Sequence, residues 1–157
     1  MQPLRQTTLC FLIRNDEVLL AMKKRGFGVN KWNGVGGKPN KGEDIKQAAI
    51  RETQEEIEVI VKDIEACAVL NFYFIDHPEW NQQTIVYFAQ SWKGAPTETD
   101  EMRPAWFKKN ELPLNDMWPV DRHWLPVVLG GEKIKAECLL DENGEVLDFT
   151  IEIVDKL

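Results

Sequence analysis

The sequence is poor in cysteine and has no long apolar run. Its 157 residues include three cysteines, Cys10, Cys67 and Cys138, and none of them belongs to a CxxC pair. This odd, widely spaced set favours neither a disulfide framework nor a zinc site, so we expect free thiols in a reducing compartment. The apolar run Leu9–Ile13 is far shorter than a signal-peptide core or a membrane span. We therefore expect a cytoplasmic protein with no membrane partner.

Basic residues are also in deficit. The chain has 19 Lys and Arg against 26 Asp and Glu, which gives a net charge of −7. An acidic surface repels polyphosphate chains, so the sequence argues against a nucleic-acid partner. If the substrate is an anionic small molecule, a metal cation has to bring it to this surface.

No Ser/Gly-rich linker, low-complexity tract or internal repeat divides the chain. Its length is that of one ordinary domain, and we expect residues 1–157 to form one. Apolar runs predict strands over 8–13 and 18–22, joined by a tight connection. A glycine-rich loop follows, and residues 44–57 contain no Gly or Pro and predict a helix.

The second half of the chain is rich in β-forming residues. Strands are expected over 68–75, 84–92, 105–107 and 132–140, and a partner strand follows the Asn143-Gly144 turn. A short helix is expected over 121–129, with Pro126 near its start or inside it. This order predicts an α+β protein in which a mixed sheet packs against helices.

Four glutamates crowd the end of the first predicted helix: Glu52, Glu55, Glu56 and Glu58. Helix carbonyls make that end negative, and like charges three or four residues apart repel, so each acid costs up to about 1 kcal/mol. The first three of these acids share one helix face. Such a face is either solvated or holds a cation, and its oxygen ligands would select Mg²⁺ or Mn²⁺.

The residues before this cluster bear on that choice. Gly37, Glu43 and Arg51-Glu52 stand in the pattern Gly-x5-Glu-x7-Arg-Glu-x-x-Glu-Glu-x-x-Val, which resembles the Nudix box, a loop–helix–loop motif. Six specified Gly, Glu and Arg positions are too many for a chance match. The resemblance implies a Nudix hydrolase with an α/β/α fold, in which the mixed sheet lies between α-helices.

The resemblance also implies a metal site for Mg²⁺, with Mn²⁺ as the alternative. The implied ligands are carboxylates and one backbone carbonyl: Glu52, Glu55, Glu56, Glu101 and Gly36 or Gly37. Arg51 would hold the Glu55 carboxylate, and Glu43 would anchor the loop. The implied chemistry is metal-assisted attack of water on a phosphoryl group, with Glu56 or Glu52 as the base.

Two residues depart from the box. Thr53 stands where the family has an aliphatic residue, and we expect it to be tolerated because its methyl group can face the sheet. Glu58 replaces a glycine that ends the helix in the left-handed conformation. We therefore expect a different helix exit or a displaced loop.

Motifs outside the box are similar to a narrower group, the oxidised-purine nucleoside triphosphate hydrolases of the eukaryotic MutT-homologue type. These motifs are Met22–Gly28, Lys31–Lys38, Glu98–Pro104 with Trp106-Phe107, and Asp116–Pro119 with Trp124. They imply a nucleotide substrate. The implied substrate-binding residues are Thr8, Lys23, Phe27, Asn33, Val35, Gly36, Gly37, Lys38, Phe72, Phe74, Trp118, Pro119, Val120 and Asp121.

The pocket departs from that group at one residue that contacts the base. The group has two adjacent aspartates after Trp-Pro, and this chain has Val120-Asp121. Paired carboxyls can share a proton and so present a donor and an acceptor. Without one of them a base-edge hydrogen bond worth about 1–3 kcal/mol is lost, and we expect weaker or narrower discrimination among oxidised purines. A second difference lies at Trp80-Asn81-Gln82, where the group has Met-Asp. For that wall of the pocket we therefore assign no binding residue.

The function expected from these residues is hydrolysis of oxidised purine nucleoside triphosphates to pyrophosphate and a monophosphate, by a monomer that cleanses the nucleotide pool. One alternative keeps the box and changes the substrate, for example to methylated purine triphosphates, and Val120 favours it. The other is a nucleotide-binding module without turnover. Glu58 and Thr53 favour that module, whereas the intact glutamate trio opposes it.

Overall fold

A computed structural model describes residues 4–157 and centres on a mixed eight-stranded sheet; residues 1–3 of the predicted domain lie outside the described residues. The strands are β1 (Arg5–Arg14), β2 (Glu17–Lys23), β3 (Trp32–Asn33), β4 (Ile60–Lys62), β5 (Glu65–Phe74), β6 (Gln82–Ala89), β7 (Ser91–Lys93), β8 (Met102–Lys108), β9 (Lys133–Leu140) and β10 (Val146–Val154). The sheet order is β10-β9-β5-β6-β1-β2-β3, with β8 paired to β2 and with β4-β7 as a separate ribbon. The helices are α1 (Ile45–Ile57) and α2 (Asp121–Leu129).

The two helices cover opposite faces of the sheet, and the strand β1 between them is buried on both sides. Cys10–Ile13 are all buried, a pattern of central strands rather than of half-exposed ones. Cys10 and Leu12 pack in the cluster that contains α1, whereas Phe11 and Ile13 pack in the cluster that contains α2. The expected α/β/α arrangement of the α+β fold is therefore confirmed.

The helix α1 begins at a side-chain cap and ends at a strained residue. Asp44 accepts hydrogen bonds from the backbone N–H groups of Lys46 and Gln47, at 3.1 and 3.4 Å. Thr53 is buried and donates to the Ala49 carbonyl at 2.7 Å, so its hydroxyl has a hydrogen-bond partner within the helix.

At the end of α1, Glu58 has φ 61° and ψ 36°, and its N–H donates to the Gln54 carbonyl at 2.9 Å. The expectation of a different exit was wrong. Ile57 and Val59, the residues on either side of it, are both fully buried, and Glu58 adopts the left-handed cap between them at a cost of about 1–2 kcal/mol.

Most other predicted elements are present with small shifts in their ends. The strand predicted over 84–92 is two strands, β6 and β7, because the chain bends at Gln90. Pro126 lies inside α2. Within residues 4–157, neither helix has the length or the apolar character to cross a bilayer.

The last hairpin shows where alternation does not predict burial. The apolar residues of β9, Ile134, Ala136 and Cys138, are buried as their alternation predicts. On β10 the same pattern leaves Leu147 and Ile153 at 51% and 59% exposure. The reason is position, because β10 is the outermost strand at that end of the sheet.

Candidate active site

Arg51 links the glycine-rich loop to the acidic end of α1. Its Nε and Nη2 atoms donate to the two oxygens of Glu43 at 2.9 and 3.0 Å, and Nη2 also donates to the Lys38 carbonyl at 3.0 Å. Its Nη1 donates to Glu52 at 2.9 Å and to Glu55 at 3.2 Å. The charged hydrogen bonds to Glu43 raise the pKa of Arg51, and the guanidinium in turn lowers the pKa of Glu43. One side chain thus orients three carboxylates, including the predicted contact with Glu55.

Glu43 also ties the loop down, as expected. Its Oε1 accepts a hydrogen bond from the backbone N–H of Asn40 at 2.9 Å. The loop and the helix start are therefore held together through a single carboxylate.

Glu56 lies next to Glu52, a member of this network. Its Oε2 atom is enclosed and has no hydrogen-bond partner. Burial, reinforced by the nearby charge of Glu52, raises the pKa of Glu56 to about 8. A side chain in this position either holds a proton near neutral pH or offers an oxygen to a cation.

Two glycines let the loop approach the glutamates and β1. A Cβ at Gly37 would lie 2.5 Å from the carboxyl carbon of Glu52, and one at Gly36 would lie 1.7 Å from the Thr8 carbonyl oxygen. The Gly37 carbonyl accepts the Thr8 N–H at 2.9 Å. Of the two carbonyls considered, Gly36 is therefore the better candidate for a metal ligand.

The glutamates fit a hard divalent cation, although they are not gathered around one point. Across residues 4–157, no three His, Cys, Asp or Glu side chains are spaced to hold one ion. Arg51 binds Glu55, and Arg25 pairs with Glu101, which lowers the pKa of that carboxyl. The enclosed, partnerless oxygen of Glu56 next to Glu52 is nevertheless what an oxygen-binding cation would satisfy.

A pocket opens beside the glutamate cluster and is lined by most of the predicted substrate-binding residues. These are Thr8, Lys23, Phe27, Asn33, Gly36, Gly37, Phe72, Phe74, Trp118, Val120 and Asp121. Its volume is about 240 Å³. Because Gly37 borders both the pocket and Glu52, a ligand in the pocket can extend toward the acids.

Trp118 forms the firmest wall of this pocket. Its ring stacks with Phe27 at a centroid distance of 5.2 Å and an interplanar angle of 25°. A Cβ at Gly144 would lie 2.7 Å from the Trp118 ring, and one at Gly28 would lie 3.5 Å from it. The indole is thus held between two backbone segments that have no side chain at these points. Lys31 places its Nζ 5.0 Å from the ring centroid.

The buried end of the pocket carries a single carboxyl group. Asp121 is 4% exposed, and its Oδ1 accepts a hydrogen bond from Trp124 Nε1 at 3.1 Å. Its Oδ2 has no partner, and burial raises the pKa of Asp121 to about 7. Beside it, Val120 is 2% exposed and packs in the apolar core. Asp121 can donate a hydrogen bond when it is protonated and accept one when it is ionised.

Three predicted substrate-binding residues do not line the pocket. Val35 is 1% exposed and exchanges backbone hydrogen bonds with Cys10, so its side chain belongs to the α1 side of the core. Lys38 is exposed and contributes its carbonyl to Arg51. Pro119 follows Trp118 along the chain but lies outside the lining. The structure does not bring these three residues to the pocket, and their part in substrate binding stays a prediction.

The pocket also contains residues that the sequence did not single out. Thr84 and Leu140 are two of them. Thr84 reaches the site because β6 runs parallel to β1, where its hydroxyl lies 2.8 Å from that of Thr7. No local motif signals a pairing between strands so far apart in sequence.

Residues 3–128 match the NUDIX domain family. The chain belongs to the Nudix family. Nudix hydrolases generally use a divalent metal ion and act on nucleotides, which agrees with the glutamates and the pocket of this one. The expectation of a Nudix pyrophosphohydrolase is confirmed at this level.

Two relatives of this Nudix hydrolase match it along almost its whole length. The oxidized purine nucleoside triphosphate hydrolase of Mus musculus is 36% identical over 155 residues, which cover 99% of each chain. The protein of the same name from Danio rerio is 36% identical over 150 residues, covering 96% of each. Among solved structures, the MutT protein from Bacillus halodurans has a TM-score of 0.84 at 24% identity, covering 95% of this chain and 98% of that one. This last likeness concerns the fold alone.

Proposed function

We propose that this Nudix hydrolase cleaves oxidised purine nucleoside triphosphates to a nucleoside monophosphate and pyrophosphate, and so cleanses the nucleotide pool. The observation that carries the proposal is the continuity between an aromatic pocket with one buried carboxyl and the glutamate cluster of α1. The pocket suits a purine and the cluster suits metal-assisted chemistry on its phosphates. The names of the mouse and zebrafish relatives support the same substrate class.

We assign the metal to Mg²⁺, with Mn²⁺ as the alternative. Glu52, Glu55, Glu56 and the Gly36 carbonyl would hold it, and Glu101 would add a further acid once Arg25 releases it. When bound, a divalent cation neutralises phosphate oxygens, favours ionised carboxylates and lowers the pKa of water. Oxygen-only ligands favour these hard ions over zinc.

The proton acceptor is best assigned to Glu56. Glu52 already accepts a hydrogen bond from Arg51, whereas Glu56 has an oxygen without a partner. A base must present an oxygen within reach of the water that it deprotonates, and in this role Glu56 would use the carboxylate oxygen that does not hold the metal. Arg51 then acts as a positioning residue, because it holds Glu52 and Glu55 without facing the pocket.

At the other end of the substrate, the pocket residues bind and orient the base. Trp118 offers aromatic surface to the base, and Asp121 offers one oxygen to the base edge. Asn33 lines the same pocket, although its Oδ1 already accepts the Gly34 N–H at 2.8 Å, which leaves its amide N–H groups to contact the base. Lys23 lines the pocket near Glu56 and can contact the phosphates.

Val120 supports a second candidate substrate. An apolar, buried side chain beside Asp121 can pack against a methyl group on the base edge, so methylated purine nucleotides are the alternative. The third candidate is a nucleotide-binding module, which would keep the glutamates but would not hydrolyse the nucleotide that it binds.

One assay separates the three. Purified protein is given normal, oxidised and methylated purine triphosphates with Mg²⁺, with Mn²⁺ and with a chelator, and both phosphate products are measured. We expect pyrophosphate, with the highest kcat/KM for an oxidised purine. A preference for methylated purines selects the alternative, orthophosphate contradicts the proposed cleavage site, and the absence of any product favours the binding module.

The remaining proposals concern the state of the protein. We propose that residues 1–157 act as one domain, as a monomer and in the cytoplasm. The three cysteines support a reducing compartment, because each is buried and unpaired. Size-exclusion chromatography with light scattering tests the monomer.

A further inference from the structure

Trp80 lies next to the base pocket without lining it. It belongs to the short 3-10 turn Pro78–Trp80 that connects β5 to β6. Its ring contacts Phe74 at a centroid distance of 5.5 Å, edge to face, and Phe27 at 6.5 Å. Both phenylalanines line the pocket. Trp80 therefore packs behind two of the pocket walls.

Phe27 needs such support more than the other walls do. It is 68% exposed, and its loop carries glycines at 26 and 28 with positive φ angles. A ring on such a loop keeps its orientation only through its contacts. Those contacts include the stack on Trp118 and the tilted contact with Trp80.

Trp80 is itself held from behind. The His77 ring stacks on it at 3.9 Å with an interplanar angle of 11°. His77 reaches Glu79 at 3.0 Å and Glu142 at 3.6 Å, and these acids, Glu79 first, raise the pKa of His77. A cationic ring over an indole adds attraction to the stack. The same hairpin that carries Glu142 also presents Gly144 to Trp118.

The backbone of the turn is fixed as well. The Trp80 N–H donates to the His77 carbonyl at 2.9 Å, and the Asn81 side chain accepts the Phe74 N–H at 2.8 Å. The turn, the strand end at Phe74 and the pocket wall therefore share one set of hydrogen bonds.

From these contacts we propose that Trp80 is a positioning residue for the base pocket, which sets the orientation of Phe27 and Phe74 and thereby the affinity for the base. This rests on the pocket being the purine site of the proposed function. The alternative is that Trp80 only covers apolar surface. A covering role would change stability, whereas a positioning role changes binding of the base.

The test compares Trp80→Leu with Trp80→Phe and with a matched control, Trp92→Leu. Trp92 is another half-exposed indole that packs on an aromatic neighbour, Trp106, but lies away from the pocket. The measurements are KM and kcat for the best purine triphosphate and the Kd for the corresponding monophosphate without metal. Melting temperatures are recorded for every variant.

We expect Trp80→Leu to raise KM and Kd roughly 5- to 20-fold, the size expected when aromatic contacts around a base are lost, with kcat within about threefold of wild type. Trp80→Phe should restore both values to within about twofold, and Trp92→Leu should leave them unchanged. If Trp80→Leu does not fold, His77→Gln replaces it and should raise KM and Kd about threefold.

Unchanged KM and Kd in Trp80→Leu would overturn the proposal. Where His77→Gln is measured instead of Trp80→Leu, unchanged values in that variant would do so too. A fall in kcat alone, or equal effects of Trp80→Leu and Trp92→Leu, would do the same. The metal-free Kd keeps the two proposals apart. If no triphosphate is hydrolysed but Trp80→Leu still weakens monophosphate binding, the proposed activity fails while the positioning role stands.

Discussion

The buried carboxyl of Asp121 makes the stability of the protein depend on pH in a direction opposite to that of most carboxylates. Its pKa is about 7 in the folded chain against an ordinary value of 3.8, because burial disfavours the charged form. Between these two values the folded state binds more protons than the unfolded state, so stability is full below about pH 4 and falls as the pH rises through 7. A shift of about 3 units corresponds to about 4 kcal/mol as an upper bound.

The substitution Asp121→Asn removes this titration and keeps the contact with Trp124. An amide oxygen can still accept the indole N–H, which the wild-type Oδ1 accepts at 3.1 Å. We expect the free energy of unfolding of the asparagine variant, relative to wild type, to improve by roughly 2–4 kcal/mol between pH 4.5 and pH 8.

Urea denaturation at a series of pH values measures this difference. Other groups titrate in the same range, but they are common to both proteins and cancel in the comparison. The matched control is Asp116→Asn, an exposed aspartate five residues earlier, whose curve should run parallel to wild type. Parallel curves for Asp121→Asn as well would refute the assignment of a raised pKa to Asp121.

Three further predictions concern single residues. Glu56→Gln should lower kcat at least a hundredfold, with a fold that circular dichroism shows to be unchanged. The control is Glu58→Gln, the same charge change on an exposed neighbour, which should keep its activity. Near-normal turnover of Glu56→Gln would disprove the assignment of Glu56 as the base. Glu58→Gly should raise the free energy of unfolding by about 1 kcal/mol in urea titrations, since relief of the left-handed strain and of an acid at a helix C-terminus exceeds the entropy of glycine; an unchanged or lower value contradicts this. Val120→Asp should increase kcat/KM for an 8-oxo-guanine or 2-oxo-adenine nucleotide roughly fivefold or more, because it restores the carboxyl pair. It should also lower the melting temperature, because it buries a second carboxyl. No gain in kcat/KM for either nucleotide counts against the paired-carboxyl account.

The sequence was most informative where function imposes fixed spacing. The absence of Gly and Pro over 44–57 predicted the helix, and the resemblance carried by the pattern from Gly37 to Glu56 implied the contact between Arg51 and Glu55, which the structure contains. The aromatic pocket was predicted from motifs shared with a family. Residues that line the pocket were predicted in this way without any knowledge of the strand order.

Long-range packing explains what could not be predicted. Thr84 enters the pocket through the parallel pairing of β6 with β1, which no nearby residue signals. The conformation of Glu58 was missed because tertiary packing, rather than the intrinsic preference of glutamate, fixes the end of α1. Arg25 pairs with Glu101, 76 residues later in the chain, and no local pattern in the sequence predicts this contact.

The exposed apolar side chains on β10 have a consequence for how copies of the chain meet. An unpaired strand edge with Leu147 and Ile153 in the open is a template on which another strand could add. In an antiparallel pairing of two β10 strands centred on Thr150, Asp148 of each copy would face Glu152 of the other. Like charges placed directly opposite across strands repel. The acids of this strand therefore oppose self-assembly in that register.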